Sequence, residues 1–258
     1  MVTSSPRTLK FVFTVVLTIY FFYLVFSNIP ATWAAWGIHR AAPVLWLNGV
    51  NGTVWHGRAG RAQLDMAGAA PLALGKVTWD LSPWSLLILR PCVRFASEVP
   101  GQQISGVACR GLTGTTQVRD LDLTAPIAAI KPLLQFDATG SLSMQVPKAQ
   151  IAANGKVSRL DARLSWQNAR AFTGENWLSL GAFGATAEAD GQGGVRAKVF
   201  DLSGPYKSDI EARWAPGQEN WQLSGTIHPQ EGAAPVVRQI LQVLGEELDS
   251  GAYRVNWP

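Results

Sequence analysis

Apolar residues run almost unbroken through one stretch of this chain and alternate with polar ones through most of the rest. From Phe11 to Phe26 only Thr14 and Thr18 interrupt an apolar and aromatic run. A helix from Leu9 to Ile29 would be about 30 Å long, which matches a hydrocarbon core. Residues 31–42 are rich in Ala and carry Trp33 and Trp36, predicting a second helix that Pro43 stops. Further on the period falls largely to two. Ala62, Leu64 and Met66, then Leu72, Leu74, Val77 and Trp79, predict half-buried strands. Strands are also expected at Thr53–Trp55, Cys92–Glu98, Gln103–Arg110, Gln117–Leu123, Gly140–Val146, Val157–Trp166, Leu178–Ala189, Val195–Leu202, Lys207–Trp214 and Trp221–Ile227. Turn signals part them about every eight to twelve residues, among them Asn48-Gly49, Asn51-Gly52, Pro100-Gly101, Asn154-Gly155 and Gly191–Gly194. Pro126 to Leu134 suggests a helical turn or two. Pro235 to Leu244 returns to helical spacing with Val237, Ile240, Leu241 and Leu244 on one face, and a short Tyr253–Val255 strand follows. The pattern predicts a mainly β protein: a single N-terminal transmembrane helix, then an extended, curved antiparallel β-sheet domain with a few short helices.

The flanks of the apolar run orient it. Arg7 and Lys10 precede it, whereas the first cation beyond it is Arg40. Cations favour the cytoplasmic side, so the N-terminus is expected inside and residues 30–258 outside. A cleaved signal peptide is the competing reading, with Ala31, Ala34 and Ala35 as a cleavage site. The run is long for that, rich in Phe and Tyr, and followed by Trp33 and Trp36, whose indoles suit the membrane interface. The expected organisation is a cytoplasmic tail over 1–10, an anchor over 11–29 and a periplasmic β-rich domain over 30–258.

Composition narrows the function. The net charge is +4, and without Arg7 and Lys10 twenty Lys and Arg face eighteen Asp and Glu with no basic run, which argues against nucleic acid as a partner. The chain has 25 Gly, 15 Pro and 11 Trp, a mixture that suits many short strands. Cys92 and Cys109, its only cysteines, could form one disulfide bracing a hairpin in an oxidising compartment, or be two unrelated buried thiols. His39, His56 and His228 lie far apart without acidic or Cys neighbours at ligand spacing, so no metal site is expected. No nucleophile elbow or phosphate-binding loop occurs. Asp120 and Asp122, and Glu246, Glu247 and Asp249, read as solvated charge. Neither an enzyme nor a cofactor is expected.

Three parts of the chain carry a family resemblance. Gly49-Val50-Asn51-Gly52-Thr53-Val54-Trp55-His56-Gly57 resembles the Val-x-Gly-Thr-Val/Leu-Trp-x-Gly stretch that follows the anchor in the protein N component of the type II (general) secretion pathway. Trp79-Asp80-Leu81-Ser82-Pro83-Trp84-Ser85-Leu86-Leu87 is similar to that family's Trp-x-Leu-x-Pro segment and following leucines, and Leu244-Gly245 and Gly251–Val255 fit its closing pattern. Gly52, Thr53, Val54, Trp55, Gly57, Trp79, Leu81, Pro83, Leu86 and Leu87 are the motif and core positions. His56 departs from the family's usual small or polar residue, and the cysteine pair is not part of the pattern.

The resemblance implies an accessory inner-membrane protein of the machine that exports folded proteins across the outer membrane. Its partners would be the inner-membrane bilayer and other secretion components. No catalytic or cofactor residues belong to the family pattern. Val54, Trp55, Val77, Trp79, Leu81, Trp84, Leu86 and Leu87 are expected to form an apolar nucleus at the membrane-proximal end. The same motifs more loosely resemble the start of the AsmA-like envelope proteins, whose β-groove suggests lipid handling and phospholipid as a ligand. An open sheet would also offer its edges to a partner strand.

Overall fold

The computed structural model describes residues 6–65, 71–133, 136–218 and 220–257. Met66 and Leu134, assigned above to a strand and a helical turn, lie outside them. The apolar run forms α1 (Pro6–Ser27), and its Lys10–Ser27 window has a mean hydropathy of 1.9 with nothing buried against the rest of the chain. Its two polar interruptions are satisfied within the helix: Thr14 Oγ1 donates to Lys10 O at 2.9 Å and Thr18 Oγ1 to Thr14 O at 2.8 Å. That removes the cost of a lone hydroxyl in an apolar medium. Pro30 sits at the N-cap of α2 (Ala31–Ala41).

All the strands then join one antiparallel sheet. They are β1 (Leu45–Gly52), β2 (His56–Leu64), β3 (Leu72–Leu81), β4 (Cys92–Val99), β5 (Gln102–Arg110), β6 (Thr116–Pro126), β7 (Ala138–Ile151), β8 (Val157–Phe172), β9 (Trp177–Ala189), β10 (Val195–Ser203), β11 (Tyr206–Trp214), β12 (Gln222–Pro229), β13 (Gly245–Glu247) and β14 (Tyr253–Trp257). Neighbours pair in chain order up to β12; there β14 takes the next place and β13 forms the outer edge. At about 4.8 Å between strands the sheet is roughly 60 Å wide. Short helices interrupt it: α3 (Pro83–Leu87) after β3, a 3₁₀ turn (Ile127–Leu133) after β6, and α4 (Pro235–Leu244) before β13.

The period-two pattern separates two faces. Met144, Leu164, Ala185, Val199 and Ile210 lie in register across β7 to β11, all half-buried. One position along, Gln145, Arg163, Thr186, Lys198 and Glu211 form a polar row, exposed apart from half-buried Glu211. A sheet with one apolar face normally buries it against another layer. Here α2 packs on β1 and β2, the 3₁₀ turn touches β3, β6 and β7, and α4 meets β13 and β14. Among the described residues no helix packs on β8 to β11, so their apolar side chains shelter mainly one another.

The structure departs from expectation in several places. Asn48–Gly52 is not a turn but the body of β1, with the positive φ of Gly49 and Gly52 absorbed inside the strand. Thr53–Trp55 is correspondingly the connection to β2 rather than a strand, because Val54 and Trp55 bond back to the end of α1, as described below. The predicted apolar nucleus is smaller than expected: Trp55 and Trp79 are buried, but Trp84 and Leu87 are 76% and 73% exposed. In the apolar stripe on α4 Leu241 is buried, Val237 half-buried and Ile240 exposed.

Candidate functional site: the junction of helix and sheet

An α-helix ends with carbonyls that have no partner inside it. At the end of α1 the first family motif supplies one. Trp55 Nε1 donates to Phe26 O at 2.7 Å, and the Phe26 and Trp55 rings meet with centroids 4.5 Å apart. The Val54 amide donates to Ile29 O at 2.9 Å, and Thr53 bridges to Pro30. Helix and sheet are thus fastened by backbone and indole together, 29 residues apart in sequence.

Each motif residue has a local reason. Gly52 takes a φ of +91°, and a Cβ there would lie 2.5 Å from His56 O. The connection closes on itself, with the Thr53 amide donating to His56 O at 3.0 Å and the His56 amide to Thr53 Oγ1 at 3.2 Å. Gly57 needs no unusual φ; it needs space. A Cβ on it would stand 2.2 Å from Trp79 Cζ2, because the Trp79 indole lies across it to donate Nε1–H to Val54 O at 3.2 Å. Leu81 completes the link, its amide donating to Trp55 O at 2.7 Å. Trp79, Ala59 and Ala31 form a buried cluster with Ala34, Leu47, Val50 and Val93 packed around it. His56 Nδ1 and Asp80 Oδ1 pair at 2.5 Å on the exposed side.

The second motif builds α3. Pro83 occupies its first turn, and Ser85 is the one residue of the helix turned fully inward. Ser85 Oγ donates to Ser82 O at 2.5 Å and accepts the Cys92 amide at 2.9 Å, and Ser85 O accepts the Arg90 amide at 2.9 Å. Leu86 is half-buried, whereas Trp84, Leu87, Ile88 and Leu89 point to solvent. The key role of Ser85 is not evident in the sequence, where a serine among leucines gives no sign of facing inward.

Cys92 and Cys109 face each other across β4 and β5 and are disulfide-bonded, 17 residues apart. Of the two readings of the cysteines, the hairpin brace holds. Trp33 and Trp36, expected at the membrane interface, are 69% and 61% exposed on α2, with the Arg40 guanidinium 4.9 Å above the Trp36 ring.

Elsewhere the polar face offers charge without a reactive centre. A shallow cleft of about 510 Å³ is lined by Asp161, Glu188, Arg196, Lys198, Asp209 and Glu211. Its ion pairs, Arg196–Glu211 at 3.3 Å and Lys198–Asp209 at 3.2 Å, are solvated, which makes each worth little. At the β9–β10 turn the Gln192 amide, with Gly194 and Gly193 and the nearby Arg196, holds the Asp190 carboxyl below its ordinary range despite some desolvation. Among the described residues no group of three or more His, Cys, Asp or Glu is placed to hold a metal.

Fold and junction define a wide single-sheet protein carried on one apolar helix, the form of a single-pass membrane protein. The chain matches the family described as "Type II secretion system (T2SS), protein N" over residues 43–256, and it belongs to that family. It is 30% identical over 164 residues to the type II secretion system protein N of Aeromonas hydrophila, an alignment covering 60% of this chain and 61% of that protein. The chain therefore aligns with about three fifths of that relative's length. No solved structure matches. Membership rests on the family match, and the AsmA-like alternative is not favoured.

Proposed function

We propose that the chain is an accessory subunit of the inner membrane, with residues 1–10 cytoplasmic, 11–29 spanning and 30–258 periplasmic, and that its sheet binds other secretion components without catalysis. The observation that carries this is the junction. Trp55 fastens an exposed apolar helix to a sheet whose apolar face, among the described residues, lacks helical cover over β8 to β11. A scaffold needs to hold a binding face at fixed height above the membrane, and a sheet tied to the end of an apolar helix supports that reading. Arg7 and Lys10 ahead of the span support the inward N-terminus, and the Cys92–Cys109 bond suits an oxidising periplasm. The test is purification of the full chain in mild detergent from cells making the whole machinery. Other inner-membrane secretion components should co-purify; a clean monomer, with secretion unchanged after deletion, refutes the proposal.

A further inference from the structure

Four apolar side chains are displayed on one short loop: Trp84, Leu87, Ile88 and Leu89, 76%, 73%, 71% and 59% exposed. Leu112, 78% exposed, sits in the β5–β6 turn at the same end of the sheet. Soluble surfaces rarely group large apolar residues this way. The loop is firmly built, since Ser85 is buried and bonded to Ser82, Arg90 and Cys92, and the disulfide closes its base. Leu89 also adopts a φ of +55°, an unfavourable conformation for a leucine. The loop thus hides its serine and spends backbone strain to present its hydrocarbon.

Its position identifies the occupant. Leu81, the last residue of β3, donates to Trp55 O, and Trp55 donates to Phe26 O in the last turn of α1. Two hydrogen bonds therefore connect the residue before the loop to the membrane exit of the anchor. The loop leaves the sheet at the level of Phe26 to Pro30, where an indole such as that of Trp84 is at home. We infer that the α3 loop, with Leu112, dips into the interfacial layer of the bilayer and gives the sheet a second membrane contact that fixes its tilt. This inference rests on α1 spanning the membrane.

The test keeps the two apart. Single cysteines carrying an environment-sensitive fluorophore replace Leu87, Tyr20 in α1, and Ser179 on β9, one at a time in the full chain. Each variant is placed in vesicles of phosphatidylethanolamine and phosphatidylglycerol containing nitroxide-labelled lipid. The Leu87→Cys label should lose more than half its emission to headgroup-proximal nitroxide, the Tyr20→Cys label should be quenched by deep nitroxide, and the Ser179→Cys label should be unaffected. If Tyr20→Cys is quenched but Leu87→Cys behaves like Ser179→Cys, the loop contact is overturned while the anchor stands. If Leu87→Cys is shielded only when other secretion proteins are added, the loop is a protein surface and the inference is overturned. If Tyr20→Cys is not quenched, the anchor itself fails, and the loop contact with it.

Discussion

Replacing Gly57 by Ala should break the junction between helix and sheet through space alone. The backbone at Gly57 suits any residue, so no conformational penalty applies. Alanine in a strand would instead gain about 0.5–1 kcal/mol over glycine. Against that, the new Cβ would stand 2.2 Å from Trp79 Cζ2, 2.3 Å from Cε2 and 2.8 Å from Nε1. Trp79 is buried and must move as a whole, giving up its bond to Val54 O. Overpacking of this kind costs about 1–3 kcal/mol, and the lost hydrogen bond about 1 kcal/mol. The net expectation is about 2 kcal/mol. For a domain of this size that lowers the melting temperature by roughly 6 °C. The assay is thermal unfolding of the full chain in detergent, followed by near-ultraviolet circular dichroism, for Gly57→Ala, Trp79→Ala and the double variant. Trp79→Ala alone should cost about 3–5 kcal/mol. In its presence Gly57→Ala should cost nothing, a coupling of about 1–3 kcal/mol. Additive losses would refute the steric account.

Other perturbations probe separate links. Trp55→Phe keeps the ring against Phe26 but removes the donor to Phe26 O, so amide exchange at Val54 should quicken about tenfold, with β8 to β11 unchanged; unaltered exchange at Val54 would show that this bond does not hold the junction. Replacing Cys92 and Cys109 by Ser together opens a loop of 17 residues and should cost about 3 kcal/mol, read as a melting temperature lower by roughly 9 °C. Asp190 has a lowered carboxyl pKa in the folded state, so its support of the β9–β10 turn is complete above the ordinary aspartate range and is lost as the pH falls through the lowered value. Protection of the Gln192 and Gly194 amides, their exchange relative to the intrinsic rate at each pH, should therefore fall on acidification in the wild type and be low at every pH in Asp190→Ala.

Much of this architecture is written locally in the chain. Period-two alternation places β4, β5 and β8 to β12 to within a residue or two, except that β8 runs on to Phe172, because side chains on a half-buried sheet must alternate. Pro235 and the apolar spacing after it define α4. The apolar run from Phe11 to Phe26 defines most of α1. What local pattern could not give is set by contacts distant in sequence. Asn48-Gly49 and Asn51-Gly52 have every property of tight turns, yet the chain turns at Val54, because that is where it can reach Ile29 and Phe26. The leucines after Pro83 look like core by composition. Leu87 and Leu89 point outward, and Leu86 is half-buried, because the Ser85 hydroxyl, bonded to Ser82 O and the Cys92 amide, takes the inward place. The strand β13 is three residues long and exists only because β14 offers it an edge, so nothing in Gly245–Glu247 alone marks it. The glycines of the first motif were legible as constrained positions, but their distinct reasons, φ at Gly52 and space at Gly57, required the neighbouring strand.

The claim that this sheet is a binding face of the secretion machinery is tested most directly by photo-crosslinking in living cells. A photoreactive amino acid placed at Leu164 or Ile210, half-buried on the apolar face of β8 and β11, is compared with one at Lys198 on the polar face. Adducts with another secretion component are expected from Leu164 and Ile210 and far fewer from Lys198. Adducts with phospholipid alone, or none from the apolar positions while the machinery is assembled and active, would contradict it.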